Sequence, residues 1–385
     1  FTDQADIKAT DAVDTLVALG VVEGFEDGSF QPNATVTRAQ MAKMIYVLRT
    51  GKSDASAYND DKTSFTDIGS HWARGYIKYC QSLGIIAGKS NTIFAPNANV
   101  TAQEAAKMLL VTLGYNAEKA GLTGAGWAAK TNALADENGL LEDVNTSFTS
   151  ACPRQYAAQL IYNTINAATV VWRDDAYTKY NYNGKENPTI GEKYMSLSKT
   201  VGILEDVTKD TDKDTYTLSV DKNADESTGK GLSTFTKVAK DYTALLGQVV
   251  KVLYKNGDKS KVYGVFATDD NNVLAGNSTD LEKKTATKVK FDGTEYDVAA
   301  STLVTVNGVK KTVALADAAD QYKDTAATFS LVDNNDDDKY DVLTVFAPSV
   351  VKVTYAGSNS ITAGKSYKYA DENIADGIKK DDYVA

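Results

Sequence analysis

The sequence predicts a multidomain chain: an all-α block of three helix-loop-helix repeats, followed by all-β modules. Three observations predict it. Displaced by 64 residues, Phe1 to Met44 aligns with Phe65 to Met108 without a gap, and "FTD", "LG", "VT" and "AKM" coincide; self-similarity of this kind defines a repeat unit. A third, more worn copy starts near Trp127, where "GWAAKTNALADENGLLED" follows "HWARGYIKYCQSLGIIAG" and, after a shortened loop, "PRQYAAQLIY" follows "TRAQMAKMIY". Finally, all five arginines fall before residue 174, and beyond it come short β-branched and aromatic runs between Gly, Asn and Asp turns.

In the second repeat, Trp72, Tyr76, Ile77, Cys80 and Leu83 recur at three and four residues, which is the apolar stripe of an amphipathic helix. Gly84 is a C-terminal breaker. A Gly, Asn and Pro loop follows, and Thr37 or Thr101 stands where a helix N-cap belongs. The second helix buries Met41, Met44, Ile45 and Leu48. One such unit cannot hide its stripe alone, so the three repeats, at about 1–64, 65–119 and 120–172, pack into one domain.

Residues 173–193 read as a polar, aromatic-speckled linker. The runs "TLSV", "QVVKVLY", "KVYGVFAT", "KVKF", "DVLTVFA" and "SVVKVTY" read as strands. They divide into a β-module at 194–272, a second at 273–347, and the truncated start of a further one at 348–385. "VVKVLYKNGDKSKVYGVFA" (249–267) and "ATFSLVDNNDDDKYDVLTVFA" (327–347) are parallel hairpins around polar turns.

Composition bounds the function. A net charge of −10 argues against a nucleic-acid partner, because phosphate contacts need clustered Lys and Arg. No apolar run approaches the roughly 20 residues of a membrane helix. An acidic chain rich in Tyr, Asn and Thr, with almost no Cys, His or Met, has a secreted, bacterial texture. Cys80 and Cys152 form no metal-binding spacing, and both a pair of buried thiols and a disulfide stay open.

With these motifs in place, "FTDIGSHWARGYIKYCQSLGIIAG", "F.PN..VT" and "TRAQMAKM" together resemble the S-layer homology (SLH) domain of bacterial cell-surface proteins, over residues 1 to about 170. The resemblance implies a pseudo-threefold prism, an SLH pseudo-trimer, with first helices bundled centrally and second helices and loops forming lobes. It also implies grooves that bind secondary cell-wall polysaccharide, commonly through a pyruvylated N-acetylmannosamine. Carried onto this chain, the groove arginine falls on Arg38 and Arg154, with Ala102 between them. The tryptophan falls on Trp72 and Trp127, with Lys8 in the first repeat. The aspartate falls on Asp3 and Asp67, with Leu122 in the third, and the loop glycine on Gly24 and Gly88, with Asp143 in the third. Two binding grooves and one degenerate groove are therefore expected, and the shortened "ACPRQ" segment leaves Arg154 open to displacement.

The chemistry is sound by itself. A pyruvate ketal puts a carboxylate on a sugar, and a guanidinium at a helix start can grip it with help from unpaired helix N–H groups. Trp offers a flat platform for a sugar's C–H face, and Gly permits close backbone approach. Plainer roles compete: Arg38 pairing with Asp27 or Glu23, both tryptophans in the core, Asp67 tying a loop, and His71 in local packing. In "DNNDDDKYD", Asp333, Asn335, Asp337 and Asp341 have the spacing of a calcium loop, although Asp338 stands where its glycine belongs. Calcium is the one cofactor the pattern admits, against a solvated acidic turn.

The reading is a non-enzymatic anchor at the cell surface, held to the wall by its SLH repeats, with β-modules that self-associate into a lattice or act as a spacer. One alternative is an SLH-anchored wall enzyme whose catalytic part lies beyond residue 385, since a single His and no GxSxG or HExxH argue against catalysis within the chain. Another is an anchor for polyamine-modified peptidoglycan.

Overall fold

The computed structural model describes residues 1–222, 231–323, 325–348, 351–369, 374 and 377–384. Parts of the expected β-modules, at 223–230, 324, 349–350, 370–373, 375–376 and 385, lie outside the described residues. The chain divides into two units, Phe1–Thr200 with Val252–Phe266, and Val201–Lys251 with Ala267–Ala385.

Six helices dominate the first unit: α1 (Thr10–Ala18), α2 (Arg38–Thr50), α3 (Arg74–Ser82), α4 (Ala102–Leu113), α5 (Trp127–Glu137) and α6 (Arg154–Asn166). Local chemistry starts and stops them. Thr37 and Gln40 form a reciprocal capping box on α2, as Thr101 and Glu104 do on α4, each satisfying otherwise orphaned N–H groups. On α6 the N-cap is Pro153, which supplies no side-chain cap. Gly51 closes α2 in the left-handed region at φ 65°, where a Cβ would be penalised.

The helices pack across repeats. The first helix of each repeat lies against the second helix of the preceding one: α3 on α2, α5 on α4, and α1 back on α6. The core belongs to the second helices, which corrects the expectation that first helices fill the centre. Met41, Ile45 and Leu48 of α2, Leu109, Leu110 and Leu113 of α4, and Leu160 and Ile161 of α6 are buried, whereas α5 buries only Thr131 and Ala135. The second helices are also longer, at 12 or 13 residues against 9 to 11 for the first helices, and so present more apolar positions to the core. Each fully buried apolar side chain of this size contributes about 1.5–3 kcal/mol.

A closed ring of backbone hydrogen bonds joins the segments entering these helices. Val36 N–H donates to Cys152 O (3.0 Å), Cys152 N–H to Val100 O (2.8 Å), and Val100 N–H to Val36 O (2.9 Å). Each repeat thus satisfies the next, and the third satisfies the first.

The stretch read as a linker is structured. A hairpin, Val171–Arg173 with Ala176–Thr178, is followed by α7 (Ile190–Met195), which opens with a Thr189–Glu192 capping box and buries Ile190. Residues 252–266, expected within the first β-module, belong to the first unit because Leu253 and Phe266 pack with Ala9, Ala12 and Tyr162.

The second unit is β-rich without being all-β. Thr215–Asp221 pairs antiparallel with Leu197–Asp210 and with Leu232–Val238. A seven-stranded sheet runs in the order 272–277, 328–333, 339–346, 294–306, 288–291, 281–285, with 309–311 paired to 294–306. Strands 294–306 and 339–346 are parallel, which demands a long crossover, and α8 (Leu315–Tyr322) lies within it. Its Leu315, Ala316, Ala318 and Ala319 are buried in this unit's core. No described helix is long and apolar enough to cross a membrane.

Both cysteines are free and buried, and burial pushes each thiol up to about 12. Neither Cys80 nor Cys152 is therefore expected to react with a thiol reagent at pH 8 in the native protein, and both should react in denaturant, as counted by intact mass.

Candidate functional site

Arg38, at the first position of α2, reaches out of its own repeat. The residue is 3% exposed; Nε donates to Phe94 O (2.9 Å) and Nη2 to Ala87 O (2.6 Å), both in the second repeat's loop. The guanidinium lies 4.6 Å from the Phe94 ring centroid, with Glu104 at 3.9 Å. Pairing with Asp27 or Glu23 is not what occupies it. Burial works against its charge, and Glu104 and Asp67 restore part of what burial removes.

Arg154 repeats this geometry one step round the ring. Nε donates to Phe30 O and Nη2 to Glu23 O, both at 3.0 Å, in the first repeat's loop. Its guanidinium lies 4.8 Å from the rings of Phe25 and Phe30. The shortened loop before α6 has not displaced it.

The helix starts are not open anion sites. Arg38 N–H donates to Ala98 O and Ala39 N–H to Pro96 O, while Arg154 N–H donates to Ala34 O and Gln155 N–H to Pro32 O. These orphan donors, expected to assist ligand binding, are spent on the neighbouring repeat.

Asp3 and Asp67 hold the loops that receive the arginines. Asp3 accepts from Phe30 and Gln31 N–H, both at 2.8 Å, and Asp67 from Phe94 (3.0 Å) and Ala95 (2.7 Å). Both carboxyl oxygens are engaged in each case, so Asp3 and Asp67 tie the loops that receive the arginines. Gly24 and Gly88 permit the same folding: a Cβ at Gly24 would meet the Phe1 ring, and one at Gly88 would meet loop carbonyls and the Phe65 ring.

Trp72 and Arg154 come together across a cavity of about 200 Å³ that Glu23, Gly24, Gln40 and Lys43 also line. Trp72 is 55% exposed, so it is no core residue; its indole faces the space that the guanidinium borders. Around Arg38 the corresponding residues gather: Lys107 stands 5.3 Å over the half-buried Trp127 ring, and Lys89 pairs with Glu104. Lys43 and Lys107, one repeat length apart, are cations the sequence reading missed; the signal was their place in "AKM" in both copies.

The third groove has neither arginine nor tryptophan. Lys8, Asp11, Asp143, Asn145, Tyr156 and Gln159 line its cavity of about 330 Å³. Ala102, which replaces the arginine, starts α4 beside the third repeat's loop, where Gln103 N–H donates to Phe148 O. That loop has Leu122 for the tying aspartate and Asp143 for the glycine. The side chain vanished where its receiving loop had also changed.

His71 is local packing, with Nε2 3.0 Å from Asn97 Oδ1 and Nδ1 accepting from Ala73 N–H. In the second unit, carboxylate oxygens of Asp333, Asp337 and Asp341 lie within 4.8 Å of one another. Asp333, 1% exposed, accepts N–H bonds from Asn335, Asp336 and Asp338, so it shapes the turn itself. Asn335 faces Asp341 Oδ1 at 3.5 Å. Burial, with Asp337 and Asp333 nearby, raises the Asp341 carboxyl.

Residues 1–42 and 64–106 match the S-layer homology domain family. The chain is 26% identical to a cell surface protein of Thermoanaerobacter kivui over 71% of its own length and 33% of that protein's. It is 28% identical to a surface layer protein of Brevibacillus choshinensis over 43% of the chain and 14% of the relative, and 31% identical to a cellulosome-anchoring protein of Acetivibrio thermocellus over 22% and 19%. The chain thus spans a third or less of the length of these relatives.

Two predictions follow from the tied loops. Hydrogen bonds from Phe30 N–H, followed by burial that opposes them, leave Asp3 lowered; at Asp67, burial raises the carboxyl but the Phe94 and Ala95 N–H groups and Arg38 outweigh it. A lowered carboxyl stabilises the fold above its unfolded value, near 3.9, and loses that contribution as pH falls through its lower native value. Melting of the first unit should drop below about pH 4, and Asp67→Asn should flatten that drop. In the second unit, Asp333→Ala orphans three N–H donors and should cost more than about 2 kcal/mol in chemical denaturation, with or without chelator.

Proposed function

We propose, from the S-layer homology domains this chain carries and its cell-surface location, that it is a non-covalent cell-wall anchor. Its three helical repeats form an SLH pseudo-trimer whose two arginine grooves bind pyruvylated secondary cell-wall polysaccharide. The β-rich unit forms part of a surface lattice, or spaces the anchor from what lies outward of it. No catalytic role is assigned to the chain.

The observation that carries this reading is the convergence of Arg154, Lys43 and Trp72 on one cavity, with Lys107 over the Trp127 ring and close enough to Arg38 to feel its charge one repeat on. Two of the five guanidinium N–H groups hold the loop in each case. The remainder, aided by the lysine, face a sugar carboxylate in a partly dehydrated setting, where charge-assisted bonds are strong. The tryptophan face receives the sugar ring. The arginine serves as both a structural clamp and a ligand group. Calcium at Asp333, Asp337 and Asp341 is a further, separate expectation, favoured by the crowding of three carboxylates.

Binding of purified wall polysaccharide should weaken more than about tenfold in Arg154→Ala and Arg38→Ala, the scale of losing a contact of about 1.5–3 kcal/mol. Because each arginine also clamps a loop, Lys43→Gln and Lys107→Gln provide variants with less effect on folding, and each should weaken binding several-fold. Polymer stripped of pyruvyl ketals should bind poorly to every form. Equal retention on stripped polymer, or on peptidoglycan free of polymer, by a folded protein would overturn the assignment; sugar released from wall material would point to the enzymatic alternative.

A further inference from the structure

A cavity of about 650 Å³ opens in the first unit at the C-terminal ends of the second helices. Arg49, in the last turn of α2, lines it with the end of α4, the turn Tyr115–Glu118 and the Lys193–Tyr194 corner of α7. The 12 residues of α4 put about 18 Å between this end and the helix starts that carry the arginine grooves.

Its charge is unusual for an acidic chain. The Arg49 guanidinium stacks 4.6 Å from the Tyr194 ring centroid, with Nε 3.4 Å from Tyr79 Oη, and Lys193 stands 5.2 Å from the same ring. Lys119, next in the chain to the lining residue Glu118, lies 4.6 Å over Trp172. Among the described residues, none of these three cations has a carboxylate within ion-pair distance, although the chain carries a net charge of −10. Glu118 is the one carboxylate among the lining residues.

A row of rings leads out of the cavity. Tyr115, buried behind the wall, packs 4.6 Å from the half-buried Tyr177, and Tyr177 packs 4.9 Å from Trp172, which is 43% exposed and is the ring of this row that a ligand can reach. The Tyr177 hydroxyl is fixed by Asn116 N–H at 2.8 Å, so the row is positioned by the backbone. Aromatic faces take up the C–H faces of sugars, uncompensated cations attract acidic groups, and backbone carbonyls at a helix end accept from hydroxyls. We infer that this cleft binds an acidic saccharide chain, lying from Tyr194 over the turn at Asn116–Glu118 to Trp172, with its carboxylates or sulfates against Arg49, Lys193 and Lys119. The inference stands apart from the grooves of Arg38 and Arg154.

Titration of the whole chain with a hexasaccharide of alternating glucuronic acid and N-acetylglucosamine tests it, with neutral chitohexaose beside it. The acidic hexamer should bind and the neutral one bind at least about tenfold more weakly, the scale of one charge-assisted contact. Lys193→Glu and Lys119→Glu, at exposed positions and checked for folding by circular dichroism, should each weaken the acidic hexamer by about tenfold, as should Trp172→Ala. Lys43→Gln and Lys107→Gln, which leave the arginine clamps in place, should leave this binding unchanged, which separates it from wall-polysaccharide binding. No binding of the acidic hexamer, equal binding of both hexamers, or affinity indifferent to Lys193→Glu and Trp172→Ala would overturn the inference.

Discussion

Everything in the first unit depends on closure between repeats. Val36, Cys152 and Val100 exchange three backbone hydrogen bonds in a ring, and each second helix begins by donating its leading N–H groups to a neighbouring loop. A buried backbone donor without a partner costs about as much as a lost hydrogen bond, so no repeat can leave the ring without orphaning groups on two others. The apolar packing obeys the same rule, because each first helix lies on the second helix of another repeat.

That closure explains the arginines. Arg38 and Arg154 are buried because each completes a loop in the adjoining repeat, donating to two carbonyls from a loop that Asp67 or Asp3 has shaped. A guanidinium with five donors can give two to the fold and keep the rest for a ligand, which a lysine could not do with the same geometry. Arginine and receiving loop form one structural pair, although they lie in different copies of the repeat. Where the third loop lost its aspartate and glycine, the helix facing it carries Ala102. The missing cation of one repeat and the divergent residues of another therefore sit at a single groove.

The same separation of duties runs through the rest of the chain. Asp333 spends its carboxylate on three N–H groups of its own turn, as Asp3 and Asp67 do on two each. Buried carboxylates here chiefly organise backbone. The groups left over, exposed like Trp72, Trp172 and Lys193 or half-buried like Lys43, are those that can meet something outside the chain.

The sequence by itself determined the three helical repeats, the caps at Thr37 and Thr101, the hairpins at 249–267 and 327–347, and the two surviving arginine positions. Each rests on local periodicity, turn chemistry or repetition, which a linear reading can see. It could not determine that Arg38 serves the second loop and Arg154 the first, that the second helices fill the core, or that strands 294–306 and 339–346 run parallel around α8. Nor could it bring Arg49, Tyr115, Lys193 and Trp172 together, since they lie in α2, the turn after α4, α7 and the hairpin at 171–178, with no shared motif. Those outcomes were decided by tertiary structure, because which loop receives a side chain depends on closure of the ring, and neither spacing nor propensity along the chain encodes that closure.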